Sequence, residues 1–441
     1  MTLATPITVV RGRFLDIQNI VSHASEIAEQ VRYIEDGVLI TEQGKIRWFG
    51  PWDAAQDHLP TDVEIQHYPE HLIIPGMIDT HIHFPQTEMV GAYGEQLLSW
   101  LNTYTFPTEI QFKDKAYAQE IAKFFVNELL KNGTTTALVF CTVHPESVDA
   151  LFEAAEQHQM RLIAGKVMMD RHAPEALCDS AESAYVDSKT LIQKWHGQGR
   201  ALYAITPRFA PTSTPEQLER AGQLKAEFPD VYVHTHLSEN KDEIAWVKDL
   251  FPHQNGYLDV YHHYGLTGQR SVFAHCVHLE DTEWKCMHDT NSAIAFCPTS
   301  NLFLGSGLFP LKKTWDQQVK VGLGTDIGAG TSFSLLQTVN EAYKVQQLQG
   351  DKLSAYESLY HATLGGAKAL DLDDKLGNFT VGKEADFVVL DLKATALQQL
   401  RQSRAKSIED SLFALFTMGD DRNIEATYIY GQKAYQQNQS I

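Results

Sequence analysis

Two histidines one residue apart, His81 and His83, end the apolar run Leu72-Ile-Ile-Pro-Gly-Met-Ile-Asp-Thr-His-Ile-His83. Alternate side chains of a strand share a face, so these imidazoles project together and offer two neutral nitrogen ligands to one metal ion. Alone, a His-x-His pair is better read as packed or solvated histidines, of which the chain has nineteen. Three more β-rich runs end in residues of ligand type. Residues 231–239 carry His236 with Glu239 three positions on, residues 271–275 end in His275, and residues 320–326 end in Asp326.

Imidazole and carboxylate donors suit Zn²⁺, although iron or manganese accepts the same set. The expected ligands are His81, His83, His236 and Asp326, one ion per chain. A catalytic zinc keeps a position for water and brings its pKa near neutrality, so a hydrolysis by metal-activated hydroxide is expected. Asp326 thereby belongs to the catalytic set; its alternative is a turn residue in the glycine-rich stretch 322–330. Glu239, just past His236, is assigned as general acid and base passing a proton to a departing amine, against the alternative of a surface glutamate beside Asn240 and Lys241. His275 reads as a ligand, a core histidine, or a hydrogen-bond donor that steers the attacking water and steadies developing charge; the last is preferred. His234, one alternation before His236, is expected to pack inside the barrel, and His144, His172 and His278 to be structural. The stretch 322–330 spaces as G-x-G-x-x-x-G without a phosphate-loop lysine, which argues against a nucleotide cofactor. The H-x-E…P-C-x-x-C zinc deaminase pattern is absent. No lysine ends the run 201–206, which speaks against a carbamate bridging two metals.

The elements that must position these groups alternate. Strand-like runs at 134–140, 161–169, 201–206, 231–236, 271–275, 292–297 and 320–324 follow the His-x-His strand. Amphipathic stretches such as 116–130 and 148–155 supply crossovers between them. The order predicts an α/β protein with a (β/α)8 TIM-type barrel over residues 71–376, its catalytic residues at the carboxyl ends of the strands. Short strands at 8–13, 37–41 and 46–50, and again at 385–391 and 426–434, predict a small β-sandwich domain built from both ends, residues 1–70 and 377–441. With 441 residues, 43% hydrophobic and 21% charged, the chain can bury a large core. A formal charge of −20 excludes nucleic acid and anionic membrane as partners and leaves a small-molecule substrate. No basic leader and no apolar span of about 18 residues is present, so a cytoplasmic location is expected. The five cysteines lack Cys-x-x-Cys pairing and read as buried free thiols.

Pro75-Gly-Met-Ile-Asp-Thr-His-Ile-His83, His236-Leu-Ser-Glu239, His275, Gly324-Thr-Asp326 and Gly382-Lys-Glu-Ala-Asp-Phe-Val-Val-Leu390 together resemble the amidohydrolase superfamily and its mononuclear aminohydrolases. Within it, His83-Phe-Pro-Gln86, residues 98–109, Thr206-Pro-Arg-Phe-Ala-Pro-Thr212 and residues 298–307 are similar to the guanine deaminase family. The resemblance implies hydrolysis of guanine to xanthine and ammonia in purine catabolism, and a homodimer. It also implies that Gln86 and Arg208 hold the base and that Phe209 lines the pocket. From the residues alone, Arg208 reads equally as a rim ion pair and Gln86 as a loop polar group. Residues 100–106, rich in aromatics, read either as a lid over a flat base or as a helix packed on the barrel. Two other functions stay in view: an aminohydrolase of another purine or an s-triazine, and a non-catalytic scaffold, which the intact ligand set disfavours.

Overall fold

Strands covered on both faces are buried nearly throughout, and eight such strands pair in parallel in this computed structural model, which describes residues 7–93 and 97–437. In chain order they are Met77–His83, Thr134–Phe140, Arg161–Gly165, Leu202–Pro207, Tyr232–Leu237, Ser271–His275, Ala293–Phe296 and Lys320–Leu323. Each pairs with its successor in that order. The ladder stops between the eighth strand and the first. There the seam is closed by single bonds: Thr80 Oγ1 donates to Leu323 O at 2.9 Å, Asp326 N to His81 O at 2.9 Å, and His83 N to Ile327 O at 3.1 Å.

Helices cover the outside. Lys115–Lys131 buries Ala118, Ile121, Ala122, Phe125, Val126, Leu129 and Leu130, the face expected of a 3.6-residue period, and Asp114 caps it by accepting from Ala116 N and Tyr117 N. The amino end of the barrel is plugged. Leu370, Leu372 and Leu376, which follow the helix Leu364–Ala369, pack with Ile78, Leu138 and Ile163, and Tyr232 Oη donates to Leu370 O at 2.6 Å. Only the carboxyl end is left to hold a site.

Both chain ends join in one seven-stranded sheet, ordered Gln432–Gln436, Ile424–Ile429, Phe387–Leu390, Ile65–Pro75, Ile7–Ile17, Val31–Glu42, Lys45–Pro51. Residues 1–6 and 438–441 of the two terminal segments lie outside the described residues. The expected sandwich forms from this single sheet, which curls over its own core. Phe14 packs edge-on against Phe49 and Phe379, and Ile46 N at one edge donates to Lys383 O at 2.8 Å. At the Val31–Glu42/Lys45–Pro51 hairpin, Gln43 and Gly44 take φ of 52° and 75°, as a two-residue primed turn requires. Sheet and barrel are joined through one residue, Gly76, between Pro75 and Met77; a Cβ there would lie 2.0 Å from Thr135 Oγ1. The ion pairs of Arg161 and Arg200 with Glu384, both at 2.6 Å, tie the returning segment to the barrel.

The third and fourth strands approach so closely at Gly165 that an added Cβ would sit 1.7 Å from the Ala204 carbonyl oxygen. Gly165→Ala is therefore expected to destabilise the fold by about 1–3 kcal/mol, because backbone cannot rotate away as a side chain would. Chemical denaturation checks this, and an unchanged midpoint contradicts it.

Candidate metal centre

The alternation that puts His81 and His83 on one face works as expected, and the barrel brings two other strands to them. His81 Nε2 and His83 Nε2 lie 3.1 and 3.3 Å from Asp326 Oδ1, and His83 Nε2 lies 3.2 Å from His236 Nε2. The four donor atoms fall within 4.8 Å of one another. His236 Nδ1 donates to Arg208 O at 2.7 Å, which leaves the lone pair on Nε2 facing the cluster. His81 Nδ1 meets His234 Nε2 at 2.7 Å, so His234 packs behind a cluster member and stays outside the donor set. His81 Nε2 is buried without a hydrogen-bond partner, as is His83 Nδ1. Converging nitrogen lone pairs beside a carboxylate are costly unless a cation occupies the space between them, and three imidazoles with one carboxylate fit a zinc-type ion.

Burial sets the protonation states. It drives the His83 imidazole down to about 3 and pushes His81 and His236 down as well, favouring the neutral form that binds metals. Burial opposes the charge of Asp326, but the His81 and His83 imidazoles hold its carboxyl well below the usual range. Glu239 goes the other way: burial, reinforced by the charge of Asp326, lifts its carboxyl to about 8. Ser306 Oγ donates to Glu239 Oε1 at 3.0 Å.

His275 sits at a strained turn, with φ of 71° followed by 52° at Cys276, and Cys276 N donates to Leu237 O at 2.9 Å. The turn swings the imidazole over the cluster. Its Nδ1 donates to Asn301 Oδ1 at 2.9 Å, while Nε2 faces Glu239 Oε2 at 3.5 Å and Asp326 Oδ2 at 3.8 Å. It is thus neither a member of the four-donor cluster nor a simple core residue.

Beside the cluster opens a cavity with about 420 Å³ of empty space, the open solvent at its mouth included. Gln86, Arg208 and Phe209 all line it, together with Leu97, Trp100 and Leu101. Arg208 satisfies both of its readings at once, because it is ion-paired to Glu109 at 2.7 Å and still borders the cavity. Residues 100–106 belong to a helical segment, Leu97–Trp100, a π turn at Leu101–Thr105, and Phe106–Glu109, whose buried side is the cavity wall. A π turn shifts the helical phase, and such turns gather at functional sites.

Three contributors escaped the sequence reading. Asp79 accepts from Thr325 N and His81 N, each at 3.1 Å, and from Thr325 Oγ1, pinning the Asp326 loop to the first strand. Its signal was the same alternation, two residues before His81. Glu243 accepts from Glu239 N at 3.0 Å and Asn240 N at 3.1 Å, and Tyr257 Oη donates to it at 2.8 Å. The capping-box spacing Asn240-x-x-Glu243 announced it. Glu109 had no local signal beyond its place in the string 98–109. His172 and His278 bond backbone carbonyls, of Pro211 and Ser306, and His144 precedes the helix Pro145–Gln157. All five cysteines are free thiols; Cys141, Cys276 and Cys297 are buried as expected, whereas Cys178 and Cys286 are only partly so.

The amidohydrolase family model matches residues 72–434. Guanine deaminase of Escherichia coli K12 is 62% identical over 429 residues, covering 97% of this chain and 98% of that protein. The solved structure of E. coli guanine deaminase superposes with a TM-score of 0.96 at 60% identity, covering 98% of this chain and all of the other. That of guanine deaminase from C. acetobutylicum, with guanine bound in its active site, gives 0.88 at 30% identity, over 98% of this chain and all of the other. With fold, donor cluster and chain-long likeness in agreement, the chain belongs to the amidohydrolase family, in its guanine deaminase group.

Proposed function

We propose that the chain hydrolyses guanine to xanthine and ammonia, a step of purine catabolism. The observation that carries this is the convergence of His81, His83, His236 and Asp326 beside Glu239 at one end of an aromatic-walled cavity. A divalent ion, for which zinc is our choice, would be held by those four residues and would supply Lewis acidity and an acidified water. One water adds its oxygen to C2 of the base, the C2–amine bond breaks, and ammonia departs. Glu239 moves the protons: burial keeps its carboxyl able to hold one near neutral pH, and Ser306 occupies Oε1, so Oε2 is the oxygen that takes a proton and passes it to the amine. His275 Nε2, anchored through Nδ1 by Asn301, steadies the charge that develops beside Asp326. Arg208 and Gln86 hold the polar edge of the base, and Phe209 and Trp100 cover its faces and keep bulk water out. No described helix is long and apolar enough to cross a membrane. A cytoplasmic homodimer completes the reading and rests on the family resemblance alone; light scattering that returns a monomer mass overturns that part.

Purified protein is expected to release ammonia from guanine and to carry about one zinc per chain by elemental analysis. Turnover of adenine, 8-oxoguanine or an s-triazine in place of guanine would replace the substrate, and stoichiometric iron or manganese would replace the ion. Glu239→Gln should keep its metal while kcat falls by about 10²–10⁴-fold, the usual range for a general acid and base. His83→Ala should lose metal and turnover together. Equal metal loss in both variants would make Glu239 a structural residue.

A further inference from the structure

One buried carboxylate, Glu109, bonded to the cavity-lining Arg208 and Gln86, has no task in the reaction as described. Glu109 accepts from Arg208 Nη1 at 3.0 Å on Oε1 and 2.7 Å on Oε2, and from Gln86 Nε2 at 3.2 Å on Oε1. All three side chains are almost wholly buried. Phe106, three residues before Glu109, lies against the guanidinium at 5.5 Å from ring centre to Cζ. Gly328 N donates to Gln86 Oε1 at 3.4 Å, and the two contacts together set the sense of the amide.

An ion pair this deep gains little stability, because desolvation of both charges offsets most of their attraction. Its effect is orientation. Arg208 Nη1 is committed to Glu109, whereas no acceptor among the described residues is bonded to Nε or Nη2. One Gln86 amide hydrogen also stays available. The wall therefore offers hydrogen-bond donors, and the paired charges cancel, which suits a neutral base.

Building on the guanine reading, we infer that Glu109 is a positioning residue that determines specificity. By fixing Arg208 and Gln86 as a donor edge, it selects purines with a carbonyl acceptor at C6 over purines with an amine or a hydrogen there. Guanine presents an acceptor at that position and adenine a donor. Donors facing a donor, or facing nothing, stay buried and unpaired, which is how a polar site rejects an analogue.

The test compares guanine with 2-aminopurine, which keeps the reacting amine and lacks the C6 carbonyl. In Glu109→Gln the guanine to 2-aminopurine ratio of kcat/KM should fall about 10–150-fold, the worth of a hydrogen bond to a charged group, with metal content retained. The loss should come through guanine, mainly in KM. Equal slowing of both substrates at full metal content would show that Glu109 only supports the fold and would overturn the inference. Should that variant fail to fold, Glu109→Asp keeps the charge and shortens the reach, and an unchanged ratio there overturns it equally. Wild-type protein that leaves guanine intact would sink the substrate reading alone. The inference is then read from calorimetric affinities for hypoxanthine against purine, which differ by the same carbonyl. A preference for hypoxanthine that Glu109→Gln leaves untouched would overturn it.

Discussion

The barrel has no ladder where its eighth strand meets its first, and the Asp79 carboxylate takes over that duty. It binds Thr325 through both backbone and hydroxyl and binds the backbone of His81, so the two strands whose ends carry His81, His83 and Asp326 are held in one register. Burial lifts this carboxyl to about 7, and the Thr325 bonds work against that rise. Hydrogen bonds to a charged group contribute about 1.5–3 kcal/mol each, enough to hold a carboxylate in the barrel wall. If the clamp slips, the donor cluster opens on one side. Everything chemical in the cavity presupposes it.

Around that clamp, two buried carboxyl groups are sent in opposite directions by their neighbours. Asp326 sits among imidazoles and stays ionised, while Glu239, with Ser306 as its hydroxyl donor and Asp326 as an unfavourable neighbour, rises to about 8. Neighbouring acids pushed apart in this way suit different tasks, and in the proposed reaction Asp326 would hold charge and Glu239 would carry a proton. The backbone of Glu239 is steadied in turn by Glu243, whose carboxyl burial lifts to about 7. Glu109 and Arg208 form a third arrangement, in which opposite charges cancel and only direction remains. In the proposed reaction, one cavity thus combines a candidate metal-binding end, a side where Glu239 would carry protons, and a wall of hydrogen-bond donors whose charge is cancelled.

Alternation was the most legible signal in the chain, because a strand's two-residue period is a local property. His81 with His83, and His234 with His236, share faces for that reason, and the position of His275 at a strand end follows from the same pattern. The barrel was legible because two-sided burial demands apolar runs such as Ala293–Phe296. The terminal strands were legible too, but not that they form one curled sheet, since pairing between Ile65–Pro75 and Phe387–Leu390 joins residues more than three hundred positions apart. Glu109 could not be read at all: a glutamate at the end of a helical segment gives no local hint that it will meet an arginine just past the fourth barrel strand.

By itself, then, the sequence determined which residues could bind a metal and carry a proton, and that they would stand at strand ends, because residue type and period are written along the chain. Only the tertiary structure decided which lone pairs face one another, that His234 lies behind His81, and that Glu109 rather than solvent holds Arg208. Those relations depend on distances across the barrel mouth, which closure of the sheet and the Asp79 clamp set and no local run of residues encodes.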